Sequence, residues 1–208
     1  MSRTLRAGLV AAAALVAVGC AATTFNSTWK APGAQPESFK GKKVAALCIT
    51  KDDSVRFGAE DALARELTAR GAVGISAYSL IPKELIQDKD KAKEFLQKAN
   101  VAGVVSMRVA GKEKEINSTP GGMYAAPYYG SYWAGGGYYG WAWGGAYSPS
   151  YVTTDTIVYV ETLIYSMAQD KLVWAGRSET TNPEKVGPFV KELAAKVAAE
   201  LKKEGLTK

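Results

Sequence analysis

The sequence contains no histidine and only two cysteines in 208 residues. The missing imidazole excludes Ser-His-Asp and Cys-His nucleophile systems, HExxH zinc sites and histidine proton shuttles. No other side chain titrates unperturbed near neutrality. Two thiols cannot furnish a four-thiolate zinc site or a disulfide framework. An apolar run long enough to span a bilayer is missing from the N-terminus as well. Ala7 to Val18 is uncharged for 12 residues, and as a helix it would measure about 18 Å against roughly 30 Å of hydrocarbon core.

That short run follows Arg3 and Arg6 and ends in Ala17-Val18-Gly19-Cys20. Basic residues ahead of a short apolar stretch are the pattern of a secretory signal peptide, expected here over residues 1–19. The four residues ending at Cys20 resemble the lipobox of bacterial lipoproteins, with Ala17 where leucine is usual. The resemblance implies that Cys20 is acylated and becomes the first mature residue. Ala21, rather than aspartate, follows it, which implies the outer membrane, the protein facing the periplasm. The alternative is a plain secreted protein whose signal happens to contain a cysteine. Several acyl chains at about 0.8 kcal/mol per buried methylene would anchor the protein stably.

Charge is otherwise ordinary. The chain carries 26 Lys+Arg against 20 Asp+Glu, a net +6, and removing Arg3 and Arg6 with the signal leaves +4. The charges are interspersed, as in the solvated run Asp88 to Lys93. No basic stripe points to nucleic acid. Cys48 lies in Val44-Ala45-Ala46-Leu47-Cys48-Ile49 and reads as a small buried hydrophobe. A nucleophilic role would need a pKa-lowering partner, and no histidine is present to serve.

Residues 20–41 comprise the lipidated N-terminus and a stretch rich in Thr, Ser, Ala and Pro, expected as a flexible tether reaching roughly 25 Å. An α/β domain is expected over 42–208. Val44–Thr50 is a short apolar strand. Asp52, Asp53 and Ser54 offer caps for a helix to Arg70, its inward stripe Val55, Ala59, Ala62, Leu63 and Leu67. Val73–Tyr78 and Ala102–Val109 are further strands, with a helix at Asp90–Ala99 between them. Tyr151–Met167 reads as one long strand that turns back into Leu172–Thr180. Val186, Phe189, Val190, Leu193, Val197 and Leu201 recur at helical spacing in a last helix. The expected fold is mixed α/β: β-α-β-α-β, then a long antiparallel hairpin and a C-terminal helix, with helices packed on a mixed sheet. The first strand-to-helix turn, Thr50 to Ser54, has neither glycine nor a Walker lysine, so nucleotide binding is poorly supported.

Cys20 to Lys30, which ends in Ser27-Thr28-Trp29-Lys30, then Gly41-Lys42-Lys43-Val44-Ala45 and Gly103-Val104-Val105-Ser106-Met107-Arg108-Val109 resemble stretches of small, uncharacterised bacterial outer-membrane lipoproteins. The element order is similar to that of the penicillin-binding-protein activator lipoproteins and of the periplasmic domain of the curli secretion lipoprotein. The resemblance implies adaptor or assembly roles and supplies no functional residue.

Charge is wholly absent from 39 consecutive residues between Glu115 and Asp155. Gly121 to Tyr147 holds nine glycines, seven tyrosines and three tryptophans. Nine glycines, at about 1 kcal/mol each, disfavour a helix, and the rings do not alternate as a strand requires. Three readings stand open for this insert at 117–150: a disordered or loosely packed loop, a partner-binding loop, or a lipid- or glycan-contacting loop. In the second, Tyr128, Tyr129, Tyr132, Trp133, Tyr138, Tyr139, Trp141 and Trp143 are the candidate contacts.

The carboxylate sets are Asp52-Asp53, Glu60-Asp61 and Asp155 with Glu161. Capping and solvation explain the first two. Asp155 and Glu161, six apart on one strand face, lie about 20 Å apart, beyond glycosidase spacing of roughly 5–9.5 Å. No metal-ligand spacing appears, and neither cofactor nor metal is expected. The expected function is a non-catalytic outer-membrane lipoprotein, a periplasmic binding or assembly module whose partner is an envelope protein or the cell wall. The alternatives are a cell-wall-acting enzyme and a subunit of an oligomeric secretion ring.

Overall fold

The computed structural model describes residues 23–114, 132–133, 137–144, 156–183 and 185–206. The signal segment, Cys20, Tyr128, Tyr129, Asp155 and the side chain of Trp143 lie outside the described residues. Six strands form one mixed sheet: β1 (Thr23–Lys30), β2 (Lys43–Ile49), β3 (Val73–Ser76), β4 (Gly103–Lys114), β5 (Thr156–Ser166) and β6 (Lys171–Thr181), in the spatial order β1-β6-β5-β4-β2-β3. Strand β2 is parallel to β3 and β4, and the other neighbours are antiparallel. The helices are α1 (Asp53–Ala69), α2 (Lys89–Lys98), α3 (Tyr138–Gly144) and α4 (Val186–Lys203). Among them, none is long and apolar enough to cross a membrane. The mixed α/β architecture is the one expected from the sequence.

Local chemistry sets the element ends. Asp52 caps α1 by accepting the Val55 N–H, and Asp88 caps α2 by accepting the Asp90 and Lys91 N–H groups. Asn100 follows α2 with φ 54°, a left-handed stop that asparagine tolerates. Asp170, φ 45°, turns the β5–β6 hairpin.

The sheet is buried on both faces, which is why β2 reads as a continuous apolar run. Val44, Ala46 and Cys48 join α1 and α4 on one face, whose core includes Leu63, Met107, Val160, Trp174 and Leu193. Ala45, Leu47 and Ile49 join the other, with α2 and residues of the aromatic insert. Strand β5 follows the period of two: Val158, Val160 and Ile164 enter the first core, and Leu163 and Tyr165 the second.

One expectation needs correction. Residues 23–30, placed by sequence in the tether, form edge strand β1, in register with β6 from Thr23↔Thr180 to Lys30↔Trp174. Ala31 and Ala34 beyond it are buried, and Glu37 N–H donates to the Leu206 carbonyl. Thr-rich polar sequence makes a strand here because β6 presents an open ladder. Phe25, packed edge-on against Trp174 at 5.8 Å, fastens it.

Candidate functional site

The aromatic insert meets the sheet over β4 and β5. Arg108 and Glu161 are register partners on those strands. Arg108 Nη2 lies 2.9 Å from Glu161 Oε2, and both side chains are almost wholly buried. The Tyr138 hydroxyl donates to the same oxygen at 2.6 Å. Trp141, one helical turn on, lies over the Arg108 guanidinium at 4.2 Å from the ring centroid, a cation–π contact. The buried ion pair is thus closed by one tyrosine and one tryptophan of α3.

Around it the rings pack on one another. Tyr132 stands 4.8 Å from Trp133, edge-on, and 5.1 Å from Tyr165 of β5. Trp133 approaches Tyr139 at 4.7 Å. The Tyr139 hydroxyl donates to the Ile86 carbonyl, tying α3 to the turn before α2. Burial pushes the phenols of Tyr132 and Tyr138 well above the ordinary tyrosine value. Both rings are neutral at neutral pH, and the Tyr138 hydroxyl donates its hydrogen bond to Glu161.

This placement sorts the eight candidate contact residues. Tyr132, Trp133, Tyr138 and Tyr139 are core residues, turned inward and at most 6% exposed. They are unavailable to a partner while α3 is docked. Trp141 is 45% exposed, so it alone of the five whose side chains are described offers a surface. Residues 132–133 and 137–144 of the insert, the part that is described, are therefore packed into the core on the apolar face that β4 and β5 present. Arg108 escaped the sequence reading as a site residue, although a lone arginine in the apolar run Val104 to Val109 was a signal of a buried partner.

A second polar cluster sits beside the C-terminal half of β2. Glu60 of α1 is fully buried, not solvated as its sequence context suggested. Its two oxygens accept the N–H groups of Cys48, at 3.1 Å, and Tyr78, at 2.7 Å. Burial pushes its carboxyl up to about 7, against those two hydrogen bonds and the nearby Arg56. Asp61 next to it accepts from the Ser76 and Tyr78 hydroxyls. Arg56 and Glu60 are four apart on the same helix face as Ala59 and Leu63, a spacing that could have revealed both as inward. Cys48 is buried there too, and burial raises its thiol to about 12, which agrees with the reading of a core hydrophobe. Each oxygen of Glu60 is committed to backbone, so the cluster joins α1 to β2 and to the turn after β3.

Among the described residues no group of three or more Cys, Asp or Glu side chains is placed to hold a metal ion.

No protein-family model matches the chain, and no curated protein matches its sequence. Among solved structures, the PelC dodecamer from Paraburkholderia phytofirmans is 15% identical, over 86% of this chain and 97% of that one, with a TM-score of 0.47. A variant of the same protein is 17% identical over 84% and 96%, at the same TM-score. Lipoprotein GNA1162 from Neisseria meningitidis is 13% identical over 78% and 99%, with a TM-score of 0.38.

Proposed function

We propose that this chain is an outer-membrane lipoprotein, acylated at Cys20 and facing the periplasm, that acts by binding or assembly and not by catalysis. The observation that carries the reading is the distance from the lipobox to the fold. Cys20 stands three residues before Thr23, the first residue of β1. Thr23 is itself held: its N–H donates to Glu192 of α4 at 2.6 Å and its hydroxyl meets that of Thr180 at 2.9 Å. Three extended residues span about 10 Å, so a lipid at Cys20 would hold the domain against the headgroups instead of on a long leash. A domain so fixed works on what lies beside the membrane, an envelope protein or the cell wall.

Exposed Trp141 is the contact we assign to that partner. Its ring is oriented by Arg108, and Arg108 by Glu161, so the anchor is pre-organised. Cys20→Ser should move the protein from the membrane to the soluble fraction, and persistent membrane fractionation refutes the anchor. A photoreactive residue at position 141 should crosslink to an envelope component in the lipidated protein. An empty crosslink profile refutes the contact.

A further inference from the structure

Between α1 and α4, over the middle of the sheet, lies a cavity of about 490 Å³. That is within the roughly 300–1,000 Å³ of small-molecule sites. Its walls include Leu67, Ile164, Val197 and Leu201, and its α4 side is opened by the short side chains of Ala194 and Ala198. The charged residues of the lining are Glu37, Lys40, Glu66 and Arg70. The first two belong to the segment whose Gly41 N–H donates to the Gly71 carbonyl, and Glu66 and Arg70 stand at the C-terminal end of α1.

Two residues of this lining each carry a buried oxygen with no hydrogen-bond partner among the described residues: Glu37 Oε2 and Thr162 Oγ1. Thr162 is 1% exposed and stands on the β5 floor. Glu37 Oε1 lies 3.7 Å from Lys42 Nζ. Orphaned buried polar groups are destabilising and uncommon, and a ligand that supplies their partners relieves them. A purely apolar ligand would answer neither atom.

We propose that this cavity binds a single-chain amphiphile with a zwitterionic head bearing phosphate and ammonium. The chain lies along the aliphatic walls, which one alkyl chain fills and a two-chain lipid exceeds. The ammonium has its acceptor in Glu37 Oε2, and the phosphate its donors in Lys40 and Arg70, whose guanidinium keeps further N–H groups beside those given to Glu66. Thr162 offers its hydroxyl to an oxygen of the ligand nearer the chain. The inference does not depend on acylation at Cys20.

The test uses the full-length protein in phosphatidylcholine vesicles, with a lysophosphatidylethanolamine that carries a photoactivatable diazirine in its alkyl chain. Label should appear on the peptides containing Leu67 and Leu201. It should fall at least fivefold in Ala194→Phe and Ala198→Phe, which fill the cavity, with the wild-type circular dichroism retained. Unlabelled lysophosphatidylethanolamine should compete at least tenfold better than an alkyl glucoside of equal chain length. Absence of label from those peptides overturns the proposal, as does undiminished label in a folded, filled variant or equal competition by the glucoside. If both filled variants lose their dichroism, Thr162→Val decides: a twofold or greater loss of label supports the site, and unchanged label overturns it.

Discussion

Arg108 of β4 and Glu161 of β5 face each other as cross-strand partners, and their ion pair is sealed from water by Tyr138 and Trp141. Two charges taken out of water gain little net stability from each other, yet stranding either is costly. Arg108→Met or Glu161→Met alone should therefore lower unfolding stability by roughly 3–5 kcal/mol. The double replacement should cost far less than the sum of the two. Urea unfolding of the four proteins measures the coupling directly.

Tyr138→Phe removes the hydroxyl that joins α3 to Glu161 and keeps the ring. A hydrogen bond to a charged acceptor contributes roughly 1.5–3 kcal/mol, and its loss should fall mostly on the docking of α3. Faster amide exchange at 138–144, with β2 and β4 unchanged, is the expected pattern.

Glu60 sets a pH dependence with a definite sign. Its folded carboxyl titrates near 7, above the ordinary glutamate value of 4.5, so the folded chain holds the proton more tightly than the unfolded chain. Its contribution is fully present below about 4.5 and lost as pH rises through about 7, a change of roughly 3 kcal/mol at most. Stability measured from pH 5 to 8 should fall through that window. In Glu60→Gln the same window should be flatter, since an amide has no proton to lose.

The Cys48 thiol should resist a thiol-specific disulfide reagent at pH 8 in the native protein and react within seconds once unfolded. Burial holds it far from the thiolate, and the thiolate is the reactive form. Prompt native reaction would contradict the buried placement.

Two glycines should respond in opposite directions. A Cβ at Gly74 would stand 2.0 Å from the Ala64 carbonyl oxygen, where β3 passes under α1. Gly74→Ala should lower stability by roughly 1–3 kcal/mol through forced separation. Gly58 is exposed within α1 and a Cβ there meets nothing within 4 Å. Gly58→Ala should raise stability by roughly 0.5–1 kcal/mol. Thermal unfolding of the pair distinguishes the two effects.

The sequence made legible those elements whose information is local. Strand β2, α1, α2, the β5–β6 hairpin and α4 each carry their own periodicity, and α1 and α2 their own caps. Their expected ends differ from the observed ones by about a residue, as with α2, expected over Asp90–Ala99 and found over Lys89–Lys98. Strand β1 was hidden because its stabilisation comes from a partner about 150 residues away and not from its own polar Thr and Ser residues. The buried rings were hidden for a similar reason. Glycine-spaced tyrosines look outward-facing until a bare sheet face is found for them, and Arg108 and Glu161 are 53 residues apart in sequence.

The pairing of β1 with β6 also bears on the order in which the molecule is made. The first strand of the described chain takes as its only neighbour the last one, from Thr23 against Thr180 onward. Closing a loop of that length costs about 4–5 kcal/mol of chain entropy before any contact repays it. During synthesis or export from the N-terminus, β1 must therefore wait, unpaired, until β6 has emerged. The strand that leads the folded domain is the one whose place in the sheet is filled last.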